Sequence, residues 1–594
     1  MRFPYGISDF HKLITEDYFY VDRTDRIRAI EEMGEQLLFL RPRRFGKSLW
    51  LSTLANYYDV ARAGEFERLF GHLAVGQNPT PRHNQYFVMR WDFSAVAAYG
   101  DADEITQALH RHLNGRIQDF AVRYQHLLPI PIEIHPTDAL VSFQSALTAV
   151  QQTPDKLYLL IDEYDNFANE LAMSGQPTGK QRYDALLRGE GALKTLFKTI
   201  KAAASGFGLD RVFITGVSPI VLSDLTSGYN SARTIYLQPA LNDLCGFTEA
   251  EIADALSQIS ADCHFPASKT AEALEMMRIF YNGYRFCEEP APPVYNPTLA
   301  LYFMQEFQQN CRYPSQMLDS NLAMDRGKLA YIASLPDGGQ VLLDAVNGEP
   351  PLALSVLADR FGVEDMLLAV KDPPFMASFL YYFGVLTFGG RTPFGKLILR
   401  IPNLVVRKLY VERILDLLLP DKRAQDAGRQ AADLFLQSGD LEPVCTFVEQ
   451  RYFRVFDNRD YRWANELTIK TAFLTLLFND IAFIMDSEPA LAHGYADLSM
   501  IVRPEMRQYQ LPDVLFEFKY VARTEAGVTT EQARGLTAAE VRTLPAVAAR
   551  LAEATARLLD YRVALQARYD NRLRLRAYAV VALGFERLAW MECS

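Results

Sequence analysis

Two patterns of apolar positions alternate along the chain. Short unbroken apolar runs mark strands buried on both faces, and stripes recurring every three to four residues mark helices between them. The first run is Leu37–Leu40. A basic loop follows, Arg41-Pro42-Arg43-Arg44-Phe45-Gly46, and Lys47-Ser48-Leu49 opens an amphipathic helix that reaches Tyr58. Further runs are Phe87–Phe93, Lys156–Ile161 and Arg211–Thr215, with helices predicted over 102–127 and 193–202. Such alternation predicts a doubly wound α/β sheet. From residue 290 the pattern changes. Helical segments are broken by PDGG and GEPP, and Phe379–Phe388 pairs with Lys396–Ile401 as a predicted hairpin across GGRTPFG. This stretch predicts a helical, winged-helix-like connector. Beyond Pro420–Arg423, a helix over Trp463–Phe478, strands Leu498–Val502 and Val514–Val521, a long helix Ala546–Ala567 and a strand Leu573–Leu583 predict an αβββαβ core. The expected domains are 1–289, 290–424 and 425–594.

The first candidate chemistry sits where strand meets helix. Strand, loop, Gly46-Lys47-Ser48 and helix form the pattern of a phosphate-binding P-loop. Loop N–H groups and a helix N-terminus hold phosphate, lysine neutralises it, and serine ligates Mg2+. Arg43, Arg44, Phe45, Gly46, Lys47, Ser48 and Leu49 are the expected ATP cradle. A full motif has glycine where Arg41 stands, and Pro42 removes one N–H donor, so arginines are expected to supply part of the phosphate contact. The run Lys156–Ile161 ends in Asp162-Glu163, a hydrophobic strand closed by two acids. Asp162 is expected to hold the Mg2+ shell and Glu163 to orient the attacking water. Asp165 is either part of that cluster or a helix cap. Thr215 ends a strand where such sheets bind ligands and is a candidate sensor of the γ-phosphate.

The second constellation lies in the last third. Glu466 shares helical spacing with Ile469 and Phe473, which puts a carboxylate on a buried face in need of a partner. Glu517 and Lys519 are two apart on a strand and so share one face. Asp497 precedes the neighbouring strand. An acid, twenty residues and E-x-K is the PD-(D/E)XK arrangement. Asp497 and Glu517 are the expected metal ligands, Lys519 the group that orients or deprotonates water and stabilises the phosphorane, and Glu466 the helical acid. Asp513 competes for the first-acid role, but four strand residues at about 3.3 Å each put it about 13 Å from Glu517.

In order, the chain carries PYGISDF, YFYVDRT, FLRPRRFGKSL, LLIDEYD, FITGVSP, GFTEAEI, FYNGYRF and VYNPTLAL. In these motifs it resembles the bacterial AAA-ATPase-like family that carries a C-terminal PD-(D/E)XK nuclease domain. In that family too the loop reads RPRRFGKS. The resemblance implies an AAA-type nucleotide-binding fold. It also implies a glutamine in the late helix, a position that falls near Thr555.

Composition narrows the setting. Hydrophobic residues make up 49% and charged residues 22% of the 594, which fits a folded globular chain of two to four domains. The net charge of −11 requires any nucleic acid to meet local basic patches. No run of eighteen apolar residues and no apolar signal core occur, and six cysteines show no C-x-x-C pair. Neither a membrane partner, a zinc site nor a disulfide framework is expected, and a cytoplasmic location is. The resulting expectation is an ATP-binding nuclease dependent on Mg2+ or Mn2+ that cuts DNA, less readily RNA, with homo-oligomerisation open. Its rivals are an ATP-driven switch or scaffold whose nuclease fold only binds nucleic acid or a protein, and a sensor in anti-phage defence.

Overall fold

The computed structural model describes residues 1–96, 101–166, 191–219, 232–318, 326–348, 351–358, 371–458, 466–486, 490–491, 494–495, 497–569 and 573–593. They form two units, Met1–Arg312 with Ala353–Arg400, and Tyr313–Leu352 with Ile401–Ser594. The stretch expected as a separate connector, 290–424, is divided between them.

The first unit is built on strands β1 (Gln36–Leu40), β2 (Tyr86–Asp92), β3 (Lys156–Asp162), β4 (Leu209–Gly216) and β5 (Arg233–Thr234). All pair in parallel, in the order β2-β3-β4-β1-β5. Leu37, Leu38, Phe39 and Leu40 are at most 3% exposed, as a strand covered on both faces requires. Leu40 pairs with Gly216, and Asp92 with Asp162, so the carboxyl ends of these strands meet along one edge. That edge is where open α/β sheets bind ligands. Helix α1 (Lys47–Tyr58) leaves it directly from the basic loop. Helix α2 (Ala102–Tyr124) starts at a reciprocal Asp101–Glu104 capping box. Helix α3 (Glu249–Asp262) starts at the same device formed by Thr248 and Glu251, and helix α4 (Pro297–Asn310) at Asn296 with proline in its first turn.

Two expectations change here. The start of the first predicted hairpin arm, Phe379–Tyr382, is the last turn of helix α5 (Pro373–Tyr382), capped by Asp372, and the chain leaves it through Gly384 at φ +76°. The hairpin itself is shorter, β7 (Thr387–Arg391) with β8 (Leu397–Arg400), alongside β6 (Leu352–Leu354). A disulfide also joins Cys263 and Cys311, the residues that close α3 and α4, with Cα atoms 5.6 Å apart. Two cysteines 48 residues apart carry no local spacing signal, so the pattern that excluded disulfides could not see this pair.

The second unit packs helices such as Gly338–Asn347 and α6 (Leu404–Leu418) beside a five-stranded mixed sheet. Its strands are β9 (Phe483–Asp486), β12 (Leu498–Val502), β13 (Asp513–Val521), β14 (Leu575–Leu583) and β15 (Arg587–Cys593), in the order β15-β14-β13-β12-β9. A two-stranded ribbon, β10 (Ala490–Leu491) with β11 (Gly494–Tyr495), lies outside it. Only β13 and β14 pair in parallel, which requires a crossover, and helix α8 (Pro545–Arg568) supplies it. Helix α7 (Glu466–Leu477) sets Phe473 against Phe518 at 4.9 Å and Phe516 at 5.7 Å. Burial of each such side chain stabilises by about 1.5–3 kcal/mol, so α7 is held at a fixed height over β13. The predicted αβββαβ core is present, completed by β9, a strand the sequence pattern did not single out, and extended by β15.

Candidate active sites

The basic loop is shaped from beneath. Arg41, 1% exposed, donates to the carbonyls of Leu40, Tyr236 and Leu241 at 2.7–2.9 Å and lies over the rings of Phe39 and Phe286. It is a strut beneath the loop. Phe45 is clasped edge-on by Tyr284 and Phe286 at 4.9 and 5.1 Å. Gly46 caps α1 at φ +90°, a conformation costly to other residues. Lys47 is 4% exposed and folds back to donate to Arg41 O at 2.9 Å and Pro42 O at 3.1 Å. Burial holds its pKa below the ordinary lysine value, against the pull of Asp162 and Glu163. Arg43 donates to Asn166 Oδ1 at 2.6 Å.

The acids at the end of β3 divide in role. Asp162 accepts from Thr215 Oγ1 at 2.6 Å and from Glu163 N at 3.1 Å. Thr215 is completely buried, so it braces Asp162 from behind and does not face the cavity where a γ-phosphate sensor was expected. Asp165 binds Val217 N, Ser218 N and the Ser218 hydroxyl at 2.8–3.2 Å, tying the ends of β3 and β4 together. Glu163 sits at φ +48° on the cavity wall, and burial raises its pKa above the ordinary carboxylate value. A cavity of about 320 Å³ opens at the N-terminus of α1, lined by Arg44, Gly46, Lys47, Ser48 and Leu49. Its other wall is apolar: Pro4, Tyr5, Ile7, Phe19, Phe247 and Leu301. Trp50 lines it too, and both Trp50 Nε1 and Tyr5 Oη are buried with no hydrogen-bond partner. A charged end beside a concave apolar recess with unused polar groups suits a phosphorylated, partly apolar ligand such as a nucleotide.

The second constellation assembles on β13. Glu517 and Lys519 are 1% and 3% exposed. Lys519 Nζ donates to Glu517 Oε1 at 3.1 Å, to Phe518 O at 3.0 Å and to Glu466 Oε2 at 3.2 Å. Asp497, just before β12, accepts from Phe518 N at 2.7 Å. All four predicted residues therefore converge. Glu466 is the first residue of α7 and its side chain is 45% exposed, so it stands at the rim and not on the buried face expected for it. Burial, then the charge of Asp497, raises the Glu517 pKa above the ordinary value. Burial works against the Lys519 ammonium, but Glu517 and Glu466 outweigh it and the pKa is raised, so Lys519 remains a cationic donor.

Glu517 Oε2 is buried without a hydrogen-bond partner. An orphaned carboxylate oxygen beside a second carboxylate suits a divalent cation, which would satisfy the lone pairs and relieve the repulsion. Among the described residues no group of three or more His, Cys, Asp or Glu side chains is disposed as a metal cage. A hard cation such as Mg2+ is content with two carboxylates, a carbonyl and water. The residues present fit such an ion. Asp513 is elsewhere: fully buried, it accepts from Val502 N and Arg574 N at 2.8 Å and pairs with Arg507.

Residues 4–226 match the family model for a predicted AAA-ATPase, and residues 464–588 that of the PD-(D/E)XK nuclease superfamily. The chain joins an AAA-ATPase-like domain to a PD-(D/E)XK nuclease domain. A curated relative, an uncharacterised protein from the vnfD 5′ region of Azotobacter chroococcum mcd 1, is 25% identical over 89% of this chain and 92% of its own length. Among solved structures, a Walker-type ATPase of Pyrococcus abyssi is similar over 66% of this chain and 96% of its own, at 16% identity and a TM-score of 0.38. The Aeropyrum pernix ORC1 protein, solved in complex with DNA, is similar over 68% and 96%, at 10% identity and a TM-score of 0.24.

Two parts of the AAA-ATPase-like and nuclease sites escape sequence reasoning. The wall formed by Pro4–Ile7 and Phe19 comes from a segment that precedes the first strand and carries no phosphate-binding pattern. In the late helix, Thr555 Oγ1 donates to Leu551 O and meets Cys593, away from the carboxylates. The residue of α8 that reaches the carboxylates is Arg557, whose Nη1 donates to Glu517 Oε1 at 3.0 Å. A helical projection of α8 against E-x-K would have pointed to it.

Proposed function

We propose that the chain is a nucleotide-regulated phosphodiesterase that cleaves nucleic acid, DNA before RNA, with Mg2+ or Mn2+. The observation that carries this reading is the convergence of Asp497, Glu517, Lys519 and Glu466 in one cluster, with Glu517 Oε2 left unpaired. Asp497 and Glu517 would hold the cation, with the Phe518 carbonyl beside them. When bound, the cation makes hydroxide available near neutral pH and screens the phosphate charge. Lys519, held as an ammonium, donates to the phosphate oxygens as negative charge builds there. Glu466 keeps Lys519 in line from the rim. In the other domain Lys47 would neutralise the ATP phosphates, Ser48 and Asp162 would hold Mg2+, and Glu163 would orient water. A cytoplasmic setting completes the reading.

The test uses the purified full chain on single-stranded DNA, double-stranded DNA and RNA, with Mg2+ or Mn2+, with and without ATP. Metal-dependent cleavage that ATP alters and Asp497→Ala abolishes is expected. Binding without cleavage on every substrate would overturn the nuclease reading in favour of a nucleic-acid platform switched by ATP.

A further inference from the structure

We propose that Arg557 gates the nuclease pocket: it neutralises Glu517 until a divalent cation arrives, then swings out and binds a phosphate of the substrate. This rests on the nuclease reading above. Glu517 Oε1 carries two cationic partners, Lys519 at 3.1 Å and Arg557 at 3.0 Å, while Oε2 carries none. The two partners are not equivalent. Lys519 is almost wholly buried on the same strand and has two further acceptors, Phe518 O and Glu466. Arg557 reaches in from α8, and its side chain is 51% exposed. Its second terminal nitrogen lies 3.5 Å from Glu553, one turn back on the helix and 37% exposed. The guanidinium therefore has an acceptor outside the pocket, and its departure leaves no buried donor unpaired.

A buried carboxylate without compensation is costly, and in the metal-free pocket the arginine supplies part of that compensation. A divalent cation bound by Glu517 and Asp497 makes the contact redundant and repels the guanidinium at short range. The displaced group is a planar fork suited to phosphate, at the mouth of a pocket that takes a phosphodiester. Metal binding thereby creates the substrate contact, which orders the two events.

The gate predicts opposite signs for two equilibria. In Arg557→Gln and Arg557→Ala, Mn2+ meets no competitor and binds tighter, while a single-stranded oligonucleotide binds more weakly. Each change is about tenfold, the size expected for one charge-assisted hydrogen bond. Mn2+ affinity is read by calorimetry on the full chain without nucleotide, and heat lost in Asp497→Asn assigns the site. Oligonucleotide affinity is read by fluorescence anisotropy at saturating Ca2+ and again at saturating Mn2+ on a cleavage-resistant phosphorothioate strand. Arg557→Lys should restore part of the oligonucleotide affinity. Unchanged or weaker Mn2+ binding in both uncharged variants overturns the gate. Unchanged oligonucleotide affinity overturns the phosphate contact. If the parent itself gives no Mn2+ heat that depends on Asp497, the nuclease metal site falls first.

Discussion

Lys47 waits for phosphate with its ammonium folded into the loop, held by two carbonyls. Lys47→Ala should abolish ATP binding in calorimetry and also cost about 1–2 kcal/mol of stability, because those carbonyls lose their donor. The pH dependence has a definite sign. Burial lowers the Lys47 pKa, whereas bound triphosphate favours the charged form and raises it. Between the two values binding takes up a proton, so ATP affinity should fall as pH rises through that window, and calorimetry in two buffers should report the uptake. In the nuclease domain, Lys519→Ala should slow cleavage by about 10²–10³-fold, the loss of a preorganised donor to the transition state. Asp513→Ala should act differently. Two backbone amides and Arg507 lose a buried acceptor, so about 3–5 kcal/mol of stability goes in a denaturant titration while the folded fraction still cuts.

Elements rather than side chains carry the basic loop. β1 delivers it to the sheet's ligand edge, α1 leads away from it, and Arg41 fills the space below. Arg41→Ala would strand the carbonyls of Leu40, Tyr236 and Leu241, and a melting curve should show several kcal/mol lost, about 1–3 for each carbonyl left without water. This strut was not legible in the chain, because a basic residue in a basic loop gives no sign of pointing inward. The strands were legible: β1, β3 and β4 are covered on both faces, which forces unbroken apolar runs. Glu517 and Lys519 were legible through the two-residue period, which survives any small error in the strand ends. Phe379–Tyr382 was misread as strand because an aromatic run satisfies helix and strand periods alike, and Asp372 with Pro373 decided for helix. Arg557 was missed by a helical phase error. Two residues at about 100° each separate it from Thr555, which turns a pocket residue into one facing away.

At the scale of the molecule, the AAA-ATPase-like and nuclease domains stand on separate sheets with separate aromatic clusters. Two thermal transitions are therefore expected, and ATP should raise only the one belonging to the P-loop sheet. At a hundredfold excess over Kd the gain is about 2.7 kcal/mol. Asp497→Ala should leave that shift intact. The cysteine pair at the ends of α3 and α4 belongs to the same sheet's unit, so a reductant should move that transition alone.

The first unit takes Met1–Arg312 and then Ala353–Arg400, and the second takes what lies between and after. The polypeptide thus crosses from one body to the other three times, near residues 312, 352 and 400. No single protease cut can release either body, and a fragment trimmed to the family boundary at 464 leaves behind Gly338–Asn347 and α6, which belong to the same unit. A force or a hinge motion transmitted along the backbone reaches the partner body through three tethers in parallel, where a bead-on-string protein would have one.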